Sequence, residues 1–256
     1  MNALSKIALT IILAAGMTAA AHAQVSYTGG VYSENFDIMG PAGILTPAGW
    51  FAGTGTGAAV TTTAVVASTG SGTSAGNFNY GVAGVNPDTD RALGSLAGSS
   101  LQRDTELHIT NNTGLDISQF NIFYDGEQWR VGGASSVPNT ITLQISLTGL
   151  SGSWIGLGSG FNFTSPIASA TSGAPLDGNA AANRVSGIGG IYTSATPITN
   201  GSTFYLRWAD PDDTSNDNGI AIDNLTFQVV PEPSVYMLLG VGILFCGQRF
   251  LRRKSA

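Results

Sequence analysis

The stretch Thr140-Ile141-Thr142-Leu143-Gln144-Ile145-Ser146-Leu147 carries an apolar side chain at every second position and a polar one between. Successive side chains on extended backbone point to opposite faces, so this run predicts a strand with one buried face and one wet face. The same period of two recurs at Leu107/Ile109, Phe120/Ile122/Tyr124, Phe204/Leu206/Trp208, Ile220/Ile222 and Leu225/Phe227/Val229. Gly, Asn, Asp and Ser punctuate the gaps, as turns require. No stretch between residues 24 and 229 sustains the three-four apolar repeat of a helix. The expected fold is all-β, a jelly-roll-like antiparallel β-sandwich of two sheets packed face to face. Residues 24–229 suit one such domain, and no Pro/Gly/Ser linker divides them. The segment Gly53–Gly76 is rich in Gly, Thr, Ser and Ala; it reads either as low complexity or, over Thr61–Val66, as an edge strand.

Charge and cysteine usage narrow the function classes. All sixteen acidic residues lie between Glu34 and Glu232, against only five basic ones there: Arg91, Arg103, Arg130, Arg184 and Arg207. This leaves about eleven net negative charges on that stretch. Nucleic-acid binding needs a basic face and is disfavoured. Arginine without lysine points to forked pairing with carboxylates. The single cysteine, Cys246, falls outside residues 24–229, so the body must hold together by core packing or a bound ion.

The two ends read as address segments. Met1–Lys6 is a short basic start, Ile7–Met17 an apolar run, and Ala21-His22-Ala23 a small-x-small cleavage site, which together predict a signal peptide over 1–23. At the other end stand Pro231-Glu232-Pro233, a thirteen-residue apolar run from Val235 to Gly247, and then Arg249, Arg252, Arg253 and Lys254. As a helix the run spans about 20 Å at ~1.5 Å per residue, short of a hydrocarbon core about 30 Å thick. A short transmembrane helix with a basic stop on the cytoplasmic side is expected, a poor permanent anchor that leaves the body outside. The prolines keep Glu232 extended and open to a processing enzyme.

This three-part tail, residues 230–256, resembles the PEP-CTERM sorting signal of Gram-negative bacteria. The resemblance implies that Pro231, Glu232 and Pro233 are recognition residues of a substrate, and that exosortase, a membrane-embedded cysteine transpeptidase, processes the tail. Signal peptidase and the Sec machinery would act first. The protein would be held in the inner membrane before processing and would then reach the cell surface or the extracellular space. The body is similar to an uncharacterised β-sandwich domain that recurs in such proteins and ahead of some secreted bacterial nucleases. Glu34-Asn35-Phe36-Asp37, Pro47-Ala48-Gly49-Trp50, Gly126-Glu127-Gln128-Trp129-Arg130 and Gly219-Ile220-Ala221-Ile222-Asp223-Asn224 carry that similarity, which implies a fold and no activity.

Two groups of residues are candidate sites. Asp210, Asp212, Asp213, Asn216, Asp217 and Asn218, with Asp223 shortly beyond, could supply hard oxygens to Ca2+; the alternative is a solvated turn. Glu127, Gln128, Trp129 and Arg130 could form a sugar-stacking platform; the alternative is core with a structural ion pair. No catalytic residues stand out. His108 sits on the polar face of its strand and reads as a surface residue, with no activated serine or cysteine near it in sequence. The resemblance of the tail to PEP-CTERM signals, a family associated with exopolysaccharide producers, implies a structural or adhesive role in an exopolysaccharide layer. A carbohydrate-binding module is the first alternative and a secreted hydrolase with two facing carboxylates the second.

Overall fold

The computed structural model describes residues 23–81 and 89–231. Residues 1–22, Glu232, Pro233, the apolar run and Arg249, Arg252, Arg253 and Lys254 lie outside the described residues, and with them the signal peptide and most of the sorting tail. Within the described residues the alternating runs become strands of two sheets. The first holds β1 (Val25–Tyr27), β3 (Trp50–Thr54), β7 (Arg103–Asn111), β14 (Thr203–Asp210), β9 (Thr140–Ser146), β10 (Ile155–Gly156) and β11 (Phe163–Thr164). The second holds β2 (Val31–Glu34), β4 (Val66–Ser68), β5 (Gly76–Tyr80), β6 (Ala92–Leu96), β8 (Ile117–Val131), β12 (Ala174–Pro175), β13 (Arg184–Ile198) and β15 (Gly219–Val229).

The first sheet runs β7-β14-β9, with β1 and β3 sharing the outer side of β7, and β10 and β11 the outer side of β9. The second runs β8-β15, then β6-β5-β4, with β2 beside β6 along β15 and β12 and β13 along the other side of β8. Pairing is antiparallel except in β1–β7 and β4–β5, which are parallel. The expectation of a wholly antiparallel sandwich is corrected there.

The apolar halves of the alternating runs meet between the sheets. Trp50, Leu107, Ile109, Leu143, Phe204, Leu206 and Trp208 of the first sheet join Phe120, Ile122, Tyr124, Ile220, Ile222 and Phe227 of the second in one core. Aromatic pairs bridge the layers: Tyr124 meets Trp208 edge-on at 5.7 Å and Phe204 lies 6.0 Å from Phe227. Such rings carry the largest buried areas in a core of this kind and add directional contacts.

The edge strand anticipated at Thr61–Val66 forms instead at Val66–Ser68, parallel to β5. Between β3 and β4 the Gly53–Gly76 segment forms a strap. It crosses the outer face of the first sheet, where Val60 N donates to Glu106 Oε2 at 2.9 Å and Thr62 Oγ1 donates to the Ala52 carbonyl at 2.7 Å. Small side chains let the backbone lie this close to the sheet.

Candidate functional site

A cleft of about 570 Å³ opens at one end of the sandwich. It is bounded by the β6–β7 connection (Gly98, Ser99, Ser100), the end of β8 (Arg130, Gly132), Gly173, and the β14–β15 loop (Asp212, Ser215, Asn216, Asp217). Four residues singled out in two separate sequence groups, Arg130, Asp212, Asn216 and Asp217, are brought together here. Register explains the convergence: Arg130 of β8 pairs with Gly219 of β15, so the end of β8 lies beside the loop that leads into β15.

The loop is pinned from below. Asn139 Nδ2 donates to Asp213 Oδ2 at 2.8 Å and to Asp217 Oδ1 at 2.7 Å, while Asn139 Oδ1 accepts Asn218 N at 2.9 Å. Asn218 Oδ1 accepts Gly132 N at 2.8 Å, and its Nδ2 reaches Ser165 Oγ at 3.1 Å. Across the cleft, Asp212 Oδ2 accepts Ser100 N at 2.7 Å. Arg130 Nη1 donates to the carbonyls of Gly70 at 3.1 Å and Ser71 at 3.4 Å. Full satisfaction of the buried amides fixes these walls before any ligand arrives.

The backbone around the cleft is strained. Among the described residues five non-glycine positions have positive φ, and three of them line this cleft: Ser99 (63°), Ser100 (61°) and Ser215 (77°). A left-handed L-residue costs about 1–3 kcal/mol and persists only where its surroundings over-determine it. Burial raises the Asp217 carboxyl to about 6, and the neighbouring Asp212 carboxylate pushes in the same direction. Asp213 is also raised, mainly by burial. Asp210 lies deeper, fully buried; desolvation holds its carboxyl well above the usual range even though Ser95 Oγ donates to it at 2.6 Å.

The anticipated calcium shell is not formed by these side chains. Among the described residues no group of three or more His, Cys, Asp or Glu is placed to hold a metal ion. The carboxylates of Asp212, Asp213 and Asp217 each accept a hydrogen bond from a loop amide or from Asn139. Asp223 is elsewhere: it faces Asp125 across the β15–β8 ladder on the outer face of the second sheet.

The anticipated sugar platform is corrected as well. Trp129 is fully buried, stacked on Tyr80 at 5.8 Å, and its Nε1 donates to Glu127 Oε2 at 3.0 Å. The loop after β12 closes over it, with Gly178 so near the indole that a Cβ would collide. Gln128 is buried too, bonded to the Ile167 carbonyl at 2.8 Å. Of the four residues only Arg130 borders the cleft.

Two buried charge layers were invisible in the alternation. On the outer face of the first sheet Arg207 pairs with Glu106 at 2.7 Å and Asp104 at 3.2 Å, under the strap, with Trp154 3.5 Å over the guanidinium. His108 belongs to this layer rather than to the surface: it is buried, stacked on Phe51 at 4.0 Å and 2.8 Å from Glu106 Oε2. Asp104 is raised to about 6 by burial, against the pull of Arg207. On the outer face of the second sheet Arg184 bonds Asp125 and lies 3.9 Å from Glu127. There burial raises Glu127 to about 7 against the pull of Arg184, and burial with the charge of Glu127 raises Asp223 to about 9.

Ser99, Ser100, Ser215 and Asn139 escaped the sequence reading. The one available signal was the small-residue run Ala97-Gly98-Ser99-Ser100, which marks a tight turn without saying what it faces. The arrangement offers a guanidinium, carboxylates, an amide and hydroxyls in one polar recess. Asp212 and Asp217 both come from the β14–β15 loop and both line the recess. His108, on the outer face of the first sheet, gives its Nε2 to Glu106 and activates no cleft serine.

No family model matches the chain, and no curated protein does. Among solved structures it is similar to the K3 cleaved adhesin domain of Lys-gingipain from Porphyromonas gingivalis, at 12% identity over 77% of this chain and 97% of that one, with a TM-score of 0.42. It is also similar to the CBM22-1 xylan-binding domain of Xyn10C from Paenibacillus barcinonensis, at 12% identity over 82% and 99%, TM-score 0.36. TmCBM61 in complex with β-1,4-galactotriose matches at 10% identity over 77% and 99%, TM-score 0.33. No residue role is carried to this chain from them.

Proposed function

We propose that residues 24–229 form an exported, non-catalytic adhesive module that holds a hydroxyl-rich glycan in the cleft of Arg130, Asp212, Asn216 and Asp217. One observation carries this reading: three left-handed serines and a loop pinned by Asn139 and Asn218 surround a polar recess that the hydrophobic core does not need. Strain maintained at a preformed recess supports a binding role. Forked donors and acceptors match the paired hydroxyls of a sugar ring, and small side chains leave room for it. The tail beyond Val230 would be sorted by exosortase, delivering the module to the cell surface or into an exopolysaccharide layer.

The test is retention on exopolysaccharide and on a glycan array, comparing wild type with Asp212→Asn/Asn216→Ala. The variant should lose retention while its melting curve stays unchanged, because both side chains lie at the cleft rather than in the core. Equal retention by both proteins, or no glycan bound by wild type, would sink the proposal.

A further inference from the structure

Among the described residues, sheet edges are made of short pieces with one exception. On the first sheet β1 has three residues, β3 five, and β10 and β11 two each. On the second, β4 has three and β12 two. β13 has fifteen. Short edge strands, charges and bulges are the means by which proteins keep sheet edges from pairing with another chain. β13 carries no charged side chain after Arg184, and its bulges lie either side of the run Ile188–Thr193, which pairs without interruption to Tyr124–Gln119 of β8. Pro197 comes only at its end.

The side chains of that run and of the β8 segment paired with it are uncharged. Ile191 is 59% exposed and Phe123 on the adjoining strand 40%. Gln119 and Asn121 of β8, and Thr226 and Gln228 of β15, complete this part of the sheet. The stretch from Glu34 to Glu232 carries sixteen acids against five arginines, so copies of the chain repel one another over most of their surface. A charge-free edge is where two copies meet without that repulsion. Gly189, in the middle of the run, lets β13 lie close on β8, where a Cβ would collide with the Ile122 carbonyl.

We propose that two copies of this chain join through antiparallel pairing of β13 with β13, centred on Ile188–Thr193, so that two eight-stranded sheets become one. A strand paired antiparallel to its own copy is two-fold symmetric, and the assembly closes at a dimer. Main-chain hydrogen bonds provide the attraction, as in other strand additions.

The test is the mass of the full chain in detergent by light scattering across micromolar concentrations, with amide exchange over Ile188–Thr193. Wild type should be a dimer with those amides protected. Ile191→Lys/Thr193→Lys should weaken the dimer about tenfold or more, since like charges facing each other across an antiparallel pair are destabilising. Val31→Lys, exposed on β2 away from this edge, should leave it intact. If the double variant fails to fold, Thr193→Lys alone gives the same reading at a solvent-exposed position. A wild-type monomer overturns the proposal, including one whose β13 amides are protected by another segment of the same chain. So does a dimer that the lysines leave unaffected.

Discussion

Replacing Asp223 with asparagine should stabilise the fold, by an amount that grows with pH. Asp223 is buried opposite Asp125; its Oδ1 has no hydrogen-bond partner, and neither does Glu127 Oε1 in the same cluster. Burial, then the charge of Glu127, raises Asp223 to about 9. In the unfolded chain the same carboxyl titrates near 3.9. Between those values the folded protein holds a proton that the unfolded chain has released, so stability falls as pH rises. The contribution is fully present below about pH 4 and is lost as pH passes through about 9. One group of this kind loses up to about 1.4 kcal/mol per pH unit. From about pH 5 to about pH 8 this amounts to roughly 4 kcal/mol as an upper bound, and about 2 kcal/mol once the coupling to Glu127 and Arg184 is allowed for. Asparagine keeps the shape and offers an N–H where the acid holds its proton. Urea unfolding of both proteins at about pH 5 and about pH 8 measures the two slopes. At the higher pH the variant should melt roughly 4–8 °C above wild type, given about 2–4 °C per kcal/mol for a domain of this size. A variant that keeps the wild-type slope, or that loses more stability at high pH than at low, would show that the carboxyl is ionised in the fold and that the reasoning is wrong.

Arg207→Met should destabilise by about 3–5 kcal/mol in urea, because it strands two buried carboxylates, Asp104 and Glu106, without their cation. The loss should be larger above pH 6 than below, since Asp104 then gives up its proton, and a loss under about 1 kcal/mol at either pH would contradict the assignment. In the export pathway, Pro231→Ala/Pro233→Ala should leave full-length protein in the inner membrane on fractionation. Normal release of that double variant would count against enzymatic sorting.

The core was legible because burial between two sheets imprints a period of two. Leu107, Ile109, Phe120, Ile122, Leu143, Phe204, Leu206, Trp208, Ile220 and Ile222 all sit where the alternation put them. The opposite faces were not legible, for a physical reason. Alternation says that two faces differ, without saying what covers the second. Glu106, His108 and Arg207 look like solvent-facing residues, yet the Gly53–Gly76 strap lies over them from a distant part of the chain: Arg207 Nη2 donates to the carbonyl of Ala58, 149 residues away, at 2.6 Å. Trp129 was misplaced for the same reason, since residues 176–183 shield it. The acidic loop was found by composition, but its purpose was not, because the contacts that shape it come from Asn139 and Ser100, which nothing in their own neighbourhood marks. The arginine argument fared in between. Arg184 and Arg207 stand directly opposite Glu127 and Glu106 in their ladders. Arg103 and Arg130 instead bond Thr54 and the carbonyls of Gly70 and Ser71.

With much of both outer faces covered by straps and buried ion pairs, the sandwich offers its ends and edges to partners. Val230 N donates to the Gln119 carbonyl at 3.0 Å, so the chain leaves the body toward its tail beside the start of β8. Arg130 and the cleft stand at the other end of that strand, eleven residues on, or about 36 Å at ~3.3 Å per residue. Antiparallel β13 pairing would turn a second copy end for end and point the two clefts in opposite directions. A dimer so arranged can hold glycan on two sides at once, with an apparent affinity above that of either cleft alone. Adhesion then depends on the edge as much as on the cleft: the Ile191→Lys/Thr193→Lys variant should bind a single glycan normally and yet fail to cross-link glycan-bearing surfaces.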